Sequence, residues 1–222
     1  MSARPEALVL DVNGTLSDTG ALGDAFARLG ADPRSAEVWF AFTLRDGIAV
    51  SAAGRNVRFL DVARALLPVV LAGQQVDPAA VEDELLGALS AMPPREDVAA
   101  GIRGLRAAGF RLATLSNGSA TVADRLLSTA GVRDDVELLL SVQDAPGWKP
   151  TAGAYRLAVD ALHAEPPTLM LVAAHPWDIE GASAAGLRTA YVDRSGTGYP
   201  VPMTPPDVEV PDLLRLVEVL GA

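Results

Sequence analysis

The 222-residue sequence contains no cysteine. Disulfides, thiolate nucleophiles and Cys-based zinc or iron–sulfur centres are therefore excluded, and a reducing compartment is the economical expectation. Long apolar runs are lacking too. The longest, such as Leu66 to Ala72, fall far short of the roughly 20 residues that a membrane helix needs, so no membrane span is expected. Met1-Ser2-Ala3-Arg4-Pro5 leads straight into a short apolar run without the long apolar stretch and cleavage site of a signal peptide, and a cytoplasmic location is expected. Positive charge is scarce: 18 Lys plus Arg stand against 28 Asp plus Glu, a net charge of −10, with the basic residues scattered singly. Nucleic acid and anionic lipid are not expected as partners. The same charge opposes an anionic substrate at long range, so a site for one must be built from local donors. Half of the residues are hydrophobic, and a chain of this length buries a real core.

Ala7-Leu8-Val9-Leu10 is a short, wholly apolar run between Pro5 and Asp11-Val12-Asn13-Gly14, a pattern that predicts a buried parallel strand ending in a loop. The amphipathic stretch Asp97 to Ala108 precedes a second run, Phe110 to Leu115, which stops at Ser116-Asn117-Gly118. Strand and helix then alternate: helix over Ser119 to Ala130, strand over Val136 to Val142, helix over Thr151 to His163 and strand over Thr168 to Val172. A helix over Trp177 to Ala185 and a strand over Arg188 to Val192 follow. Such alternation implies right-handed crossovers and an α/β fold with a Rossmann-like parallel sheet, whose ligands bind at the carboxyl ends of the strands. Between Ser17 and Pro94 the alternation vanishes. Helices are expected instead over Leu22 to Leu29, Ser35 to Ser51, Asn56 to Leu71 and Pro78 to Ala91, too much structure for a simple connection. Residues 17–93 are accordingly expected to form a helical cap inserted after the first strand, over a core made of residues 1–16 and 94–222. The stretch from Ser195 to Pro211 is rich in Gly and Pro and shows no period, and Leu213 to Leu220 reads as a closing helix.

Four strand ends deliver polar groups: Asp11 and Thr15, then Ser116 and Asn117, then Lys149, then His175 and Asp178. Any one of them alone is ordinary, since an Asp after a strand is usually a turn former or cap. In this order they suggest covalent chemistry. A carboxylate attacks an electrophilic carbon or phosphorus when a lysine ammonium and loop N–H groups keep it ionised and aimed, while Ser116 and Asn117 hydrogen-bond an anionic group of the substrate.

Asp11-Val12-Asn13-Gly14-Thr15 carries a likeness to a known family: the chain resembles the haloacid dehalogenase superfamily, whose signature is a nucleophilic Asp in Asp-x-x-Gly-Thr after the first strand. Leu115-Ser116-Asn117-Gly118-Ser119, Trp148-Lys149-Pro150, Tyr155 and Trp177-Asp178 bring it nearest to the bacterial L-2-haloacid dehalogenases, the type II group. The resemblance spans essentially the whole chain and implies the same core-plus-cap fold. It further implies a hydrolase in which Asp11 displaces halide from C2 of a short 2-haloacid and water opens the resulting ester. Asp11, Lys149, His175 and Asp178 are then the expected catalytic residues, and Asn13, Thr15, Arg45, Ser116, Asn117 and Tyr155 the expected substrate-binding ones. The partner implied is a small-molecule carboxylate, and a homodimer is plausible from the resemblance alone. For Tyr155, on a helix with Leu157, Val159 and Leu162, a core role stands beside the polar one.

Two positions depart from the family pattern. Ala173-Ala174-His175-Pro176 stands where the dehalogenases carry Ser and Asn ahead of Trp-Asp. His175 is read either as the base for the hydrolytic water or as a capping or buried polar residue. In the cap, Trp39 is followed by Phe40 and not by the family's Arg. Arg45, about one and a half turns on, either replaces that guanidinium or is a solvated surface charge. Two alternatives to dehalogenation stand. A magnesium-dependent phosphatase of the same superfamily needs acidic groups where this chain has Asn13 and Ala174, so no cofactor is expected, with a weak Mg²⁺ site at Asp11 and Asp178 left open. A non-catalytic binding relative would account for Phe40, Ala174 and His175, but has no chemical need of Asp11, Ser116, Lys149 and Asp178.

Overall fold

The computed structural model describes residues 4–200 and 202–221; Met1 to Ala3, on which the expectation of a leaderless start rests, lie outside them. The run after Pro5 forms β1 (Ala7–Leu10), buried along its whole length. Four helices follow before the alternation resumes: α1 (Gly20–Arg28), α2 (Arg34–Ala52), α3 (Phe59–Val70) and α4 (Pro78–Ser90). Then come α5 (Val98–Ala107), β2 (Arg111–Ser116), α6 (Ala120–Thr129), β3 (Leu138–Ser141), α7 (Ala152–Leu162), β4 (Leu169–Ala173), α8 (Pro176–Ala184), β5 (Arg188–Val192), β6 (Val208–Val210) and α9 (Leu213–Gly221). No helix among the described residues is long and apolar enough to cross a membrane.

The strands form one parallel sheet in the order β3-β2-β1-β4-β5-β6. Alternating side chains divide its core in two. Ala7, Val9, Leu169 and Leu171 face α7 and α8, while Leu8, Leu10, Met170 and Val172 face α5, α6 and α9. From β1 the order runs one way through β2 to β3, and after the return to β4 it runs the other way. The switch point therefore lies between β1 and β4, where loops diverge and leave a crevice.

The strand β6 was not expected. It is three residues long, too short for a period to show, and pairs with β5 through Ala190↔Val208 to Val192↔Val210. The helix expected from Asn56 begins only at Phe59, because the Asn56 amide instead donates to the carbonyls of Val142 and Ala145 at 2.7 and 2.8 Å.

The chain leaves for the four helices and returns through one crossing, where Asp18 N–H donates to Pro93 O and Arg95 N–H to Leu16 O. The helices share an apolar interior, in which Trp39 packs 5.6 Å from Phe26 and donates its indole N–H to Ala63 O at 2.7 Å. They are fastened to the core at Trp148. Its ring stacks on Phe59 at 5.3 Å, its indole N–H donates to Val57 O and its backbone N–H to Ser51 Oγ. Gly47 of α2 lies so close to that ring that a Cβ would come within 2.1 Å of it.

Gly47→Ala is therefore expected to destabilise the protein by about 1–3 kcal/mol through overpacking, despite the better helix propensity of Ala. Exposed Gly87, in the middle of α4 with nothing near its Cα, serves as the control. Gly87→Ala should stabilise by roughly 0.5–1 kcal/mol. Denaturant melts of both variants check the pair, and a shift of the same sign in both would refute the contact argument.

Candidate active site

Asp11 follows β1 directly, Ser116 to Gly118 end β2, and Ala174 to Asp178 lead from β4 into α8, so three adjacent strands open onto one crevice. The Asp11–Thr15 loop turns back at Gly14, whose φ of +82° suits glycine and whose Cα faces the His175 ring so closely that a Cβ would stand 3.0 Å from it. The loop is braced from outside by Arg194, which donates to Thr15 O at 3.0 Å while pairing with Asp97 at 2.8 Å. Sequence reading missed that brace, since neither residue belongs to a motif.

Lys149 is the hub. Its ammonium is fully buried and donates to Asp11 Oδ1 at 2.7 Å and to Asp178 Oδ2 at 2.6 Å. Thr15 Oγ1 donates to the other oxygen of Asp11 at 2.5 Å and accepts from Ala174 N–H at 2.9 Å. Burial by itself would raise the Asp11 carboxyl, but the Lys149 charge, His175 and the Thr15 hydrogen bond outweigh it and hold the group below the ordinary carboxylate range. Burial likewise opposes the Lys149 charge, and the two carboxylates more than compensate, raising it. Asp178 is pushed up by burial, with the Asp11 charge adding to the push against Lys149. Of these carboxyls, Asp11 is the one firmly ionised, as a nucleophile must be.

Tyr155 combines both expected roles: its ring is buried in the core, and its hydroxyl donates to Asp178 Oδ1 at 2.7 Å. Burial and then the Asp178 charge push that phenol well above its ordinary value, so it remains a donor. Asn117 is spent on the backbone of Lys149 and Ser116 on its own loop. Asn117 accepts from Lys149 N–H at 2.9 Å, and Ser116 Oγ accepts from Gly118 N–H at 2.9 Å. Asn13 Oδ1 is buried with no partner within the protein.

Two expectations are corrected. The His175 Nε2 lies 2.7 Å from the carbonyl oxygen of Asn13, which can only accept, so this nitrogen carries a proton. It is also the nitrogen nearest Asp11, at 3.7 Å, and in this arrangement it is a donor and not a base. The ring is further held by stacking on Trp177 at 5.1 Å. Arg45 does not reach the crevice. Its side chain is 57% exposed, pairs with Asp46 at 2.6 Å and lies over the Phe42 ring, the surface-charge alternative. At Asp11 and Asp178, where a weak Mg²⁺ site was left open, each carboxylate already gives an oxygen to the Lys149 ammonium.

Asp11 faces a narrow chamber of about 10 Å³ lined by Asn13, Asn117, His175, Trp177 and three side chains from the helical insertion, Phe40, Leu44 and Phe59. Space of that size holds about one water. Phe40 and Leu44 stand one turn apart on one face of α2, a spacing visible in the sequence but indistinguishable there from ordinary core.

Replacing Lys149 by Met should cost about 3–5 kcal/mol at neutral pH, because Asp11 and Asp178 are left buried together without a counter-charge. Their folded-state pKa values then rise, so the variant gains stability relative to its own neutral value as pH falls and they take up protons. Denaturant melts at pH 7 and pH 5 test this; a deficit that stays constant or grows in acid would contradict it.

The description "haloacid dehalogenase-like hydrolase" matches residues 5–186. Haloacetate dehalogenase H-2 of Moraxella sp. (strain B) is 32% identical over 130 residues, 59% of this chain and 58% of that protein. The (S)-2-haloacid dehalogenase of Pseudomonas sp. (strain YL) is 35% identical over 128 residues, 58% of this chain and 55% of that one. The chain thus matches little more than half the length of these two relatives. The L-2-haloacid dehalogenase of Xanthobacter autotrophicus, solved with chloropropionic acid covalently bound, is 26% identical and superposes with a TM-score of 0.87 over 97% of this chain and 98% of that one. With its parallel sheet, its Asp11–Lys149–Asp178 hub and a family match along most of its length, the chain belongs to the haloacid dehalogenase-like hydrolases.

Proposed function

We propose that the protein hydrolyses short 2-haloacids through an ester on Asp11. The carrying observation is the buried Asp11 carboxylate, held ionised by Lys149 and Thr15 and facing a narrow pocket walled largely by carbon. In such a pocket a carboxylate is poorly hydrated, which favours attack on carbon. One Asp11 oxygen attacks C2, the carbon–halogen bond breaks, and halide leaves with the bonding pair. Esterification removes the Asp11 charge, and Lys149 keeps Asp178 as its partner. Water then attacks the Asp11 ester carbonyl, the hydroxy acid departs with the former C2–oxygen bond, and one proton is released as the carboxylate is restored. Asp178, held by Tyr155 and Lys149, is the group we assign to orient this water, with Asn13 Oδ1 as a second acceptor. His175 steadies the Asn13 backbone and offers its N–H toward Asp11. The helical insertion serves as a cap that excludes bulk water through Phe40, Leu44 and Phe59. The covalent adduct described for the Xanthobacter relative supports an ester on this chain as well.

Asp11→Asn should abolish halide release while the protein still unfolds cooperatively, since the amide is nearly isosteric and a far weaker nucleophile. Halide measured after incubation with chloroacetate or 2-chloropropionate decides it, and substantial turnover by a clean preparation would sink the covalent route. Halide release by the parent protein should also survive EDTA, because Lys149 already supplies the positive charge beside Asp11. Strict dependence on added Mg²⁺, with phosphate esters as the better substrates, would replace this reading with the phosphatase one.

A further inference from the structure

The chamber at Asp11 shares a wall with a far larger space. A cleft of about 700 Å³, open to solvent, also borders Phe40, Leu44 and His175; carbon from Leu22, Pro33, Ala36 and Ala41 lines part of it, and Arg34, Glu37, Arg95 and Arg194 stand around the rest. Its volume is that of a ligand site, roughly 300–1,000 Å³. The chamber, in contrast, has room for about one water.

The parts of that wall differ in what holds them. His175 is fixed by its bond to Asn13 O, its stacking on Trp177 and the close approach of Gly14. Phe40 and Leu44 make no polar contact through their side chains and are only half-buried; Phe40 rests 6.1 Å from the Phe59 ring and 6.4 Å from the His175 ring. Even a two-carbon acid needs this carbon wall to yield by a rotamer change, and each added methylene needs more. Truncating either side chain would join the chamber to the cleft behind it.

We propose that Phe40 and Leu44 are the chain-length filter of the site. They restrict the acid to two or three carbons and screen off a preformed cleft whose carbon-lined part, at Leu22, Pro33, Ala36 and Ala41, suits the alkyl tail of a longer 2-substituted carboxylate. The proposal rests on the haloacid reading above for the chemistry, though not for the binding. A surplus methylene against an apolar wall typically changes kcat/KM by about 10- to 200-fold.

The test compares chloroacetate, 2-chloropropionate, 2-chlorobutyrate and 2-chlorohexanoate on the parent protein, Phe40→Ala and Leu44→Ala, with Phe40→Leu as the milder change should the alanine variant fold poorly. The parent should lose at least about tenfold in kcat/KM between 2-chloropropionate and 2-chlorohexanoate. Phe40→Ala should gain about tenfold or more on 2-chlorohexanoate and lose on chloroacetate, with Leu44→Ala moving the same way. A second measurement needs no turnover: calorimetric binding of acetate and hexanoate to Asp11→Asn protein with and without Phe40→Ala. Hexanoate binding that tightens about tenfold supports the filter even where no 2-haloacid is turned over, in which case the dehalogenase reading alone has failed. An unchanged chain-length profile in every variant, in turnover and in binding, overturns the filter, as does a parent that already prefers the six-carbon acid.

Discussion

The ammonium of Lys149, shared by Asp11 and Asp178 in a site closed to solvent, is the interaction on which the rest of the structure depends. Stripping water from three charges is costly, and each is tolerable only with its partners in place. The cost is offset by short contacts at every oxygen: Lys149 and Thr15 on Asp11, Lys149 and Tyr155 on Asp178. The ammonium sits between two carboxylates of opposite tendency: Asp11 is held more firmly ionised, and Asp178 is left raised, nearer to exchanging a proton.

Lys149 is itself positioned from two directions. Asn117, at the end of β2, clamps its backbone through both halves of the side-chain amide, at 2.9 and 3.3 Å. Its neighbour Trp148 is buried against Gly47, Ser51, Val57 and Phe59 of the helical insertion. Two consecutive residues therefore tie the insertion to Asp11, one through packing and the other through charge. Gly47 of α2 thus touches the residue next to the one that holds the Asp11 carboxylate.

The site divides its work by origin. Strand ends supply every charge and every hydrogen bond at Asp11, whereas α2 and α3 supply Phe40, Leu44 and Phe59, carbon alone. The carbon walls lower the local dielectric and so strengthen the ion pairs beneath them. The net charge of −10 matters little at this range, since exposed charges are screened over about 8–10 Å at physiological salt while a buried pair is not.

Local pattern was enough to read the parallel sheet, the helical stretch between Ser17 and Pro94, and the residue types of the hub, because strand and helix periods and a short motif such as Asp11-Val12-Asn13-Gly14-Thr15 are properties of neighbouring residues. Departures at Phe40 and His175 were also legible as departures. Their consequences were not. The His175 tautomer depends on where the Asn13 carbonyl points, the Arg45 direction on the pitch of α2, and β6 on pairing with a strand across a patternless stretch. The bond between Lys149 and Asp11 spans 138 positions and that between Arg194 and Thr15 spans 179. Such contacts are decided by how the crossovers bring strand ends together, and periodicity, which reports only which face of an element is apolar, contains no information about the partner that face or terminus will meet.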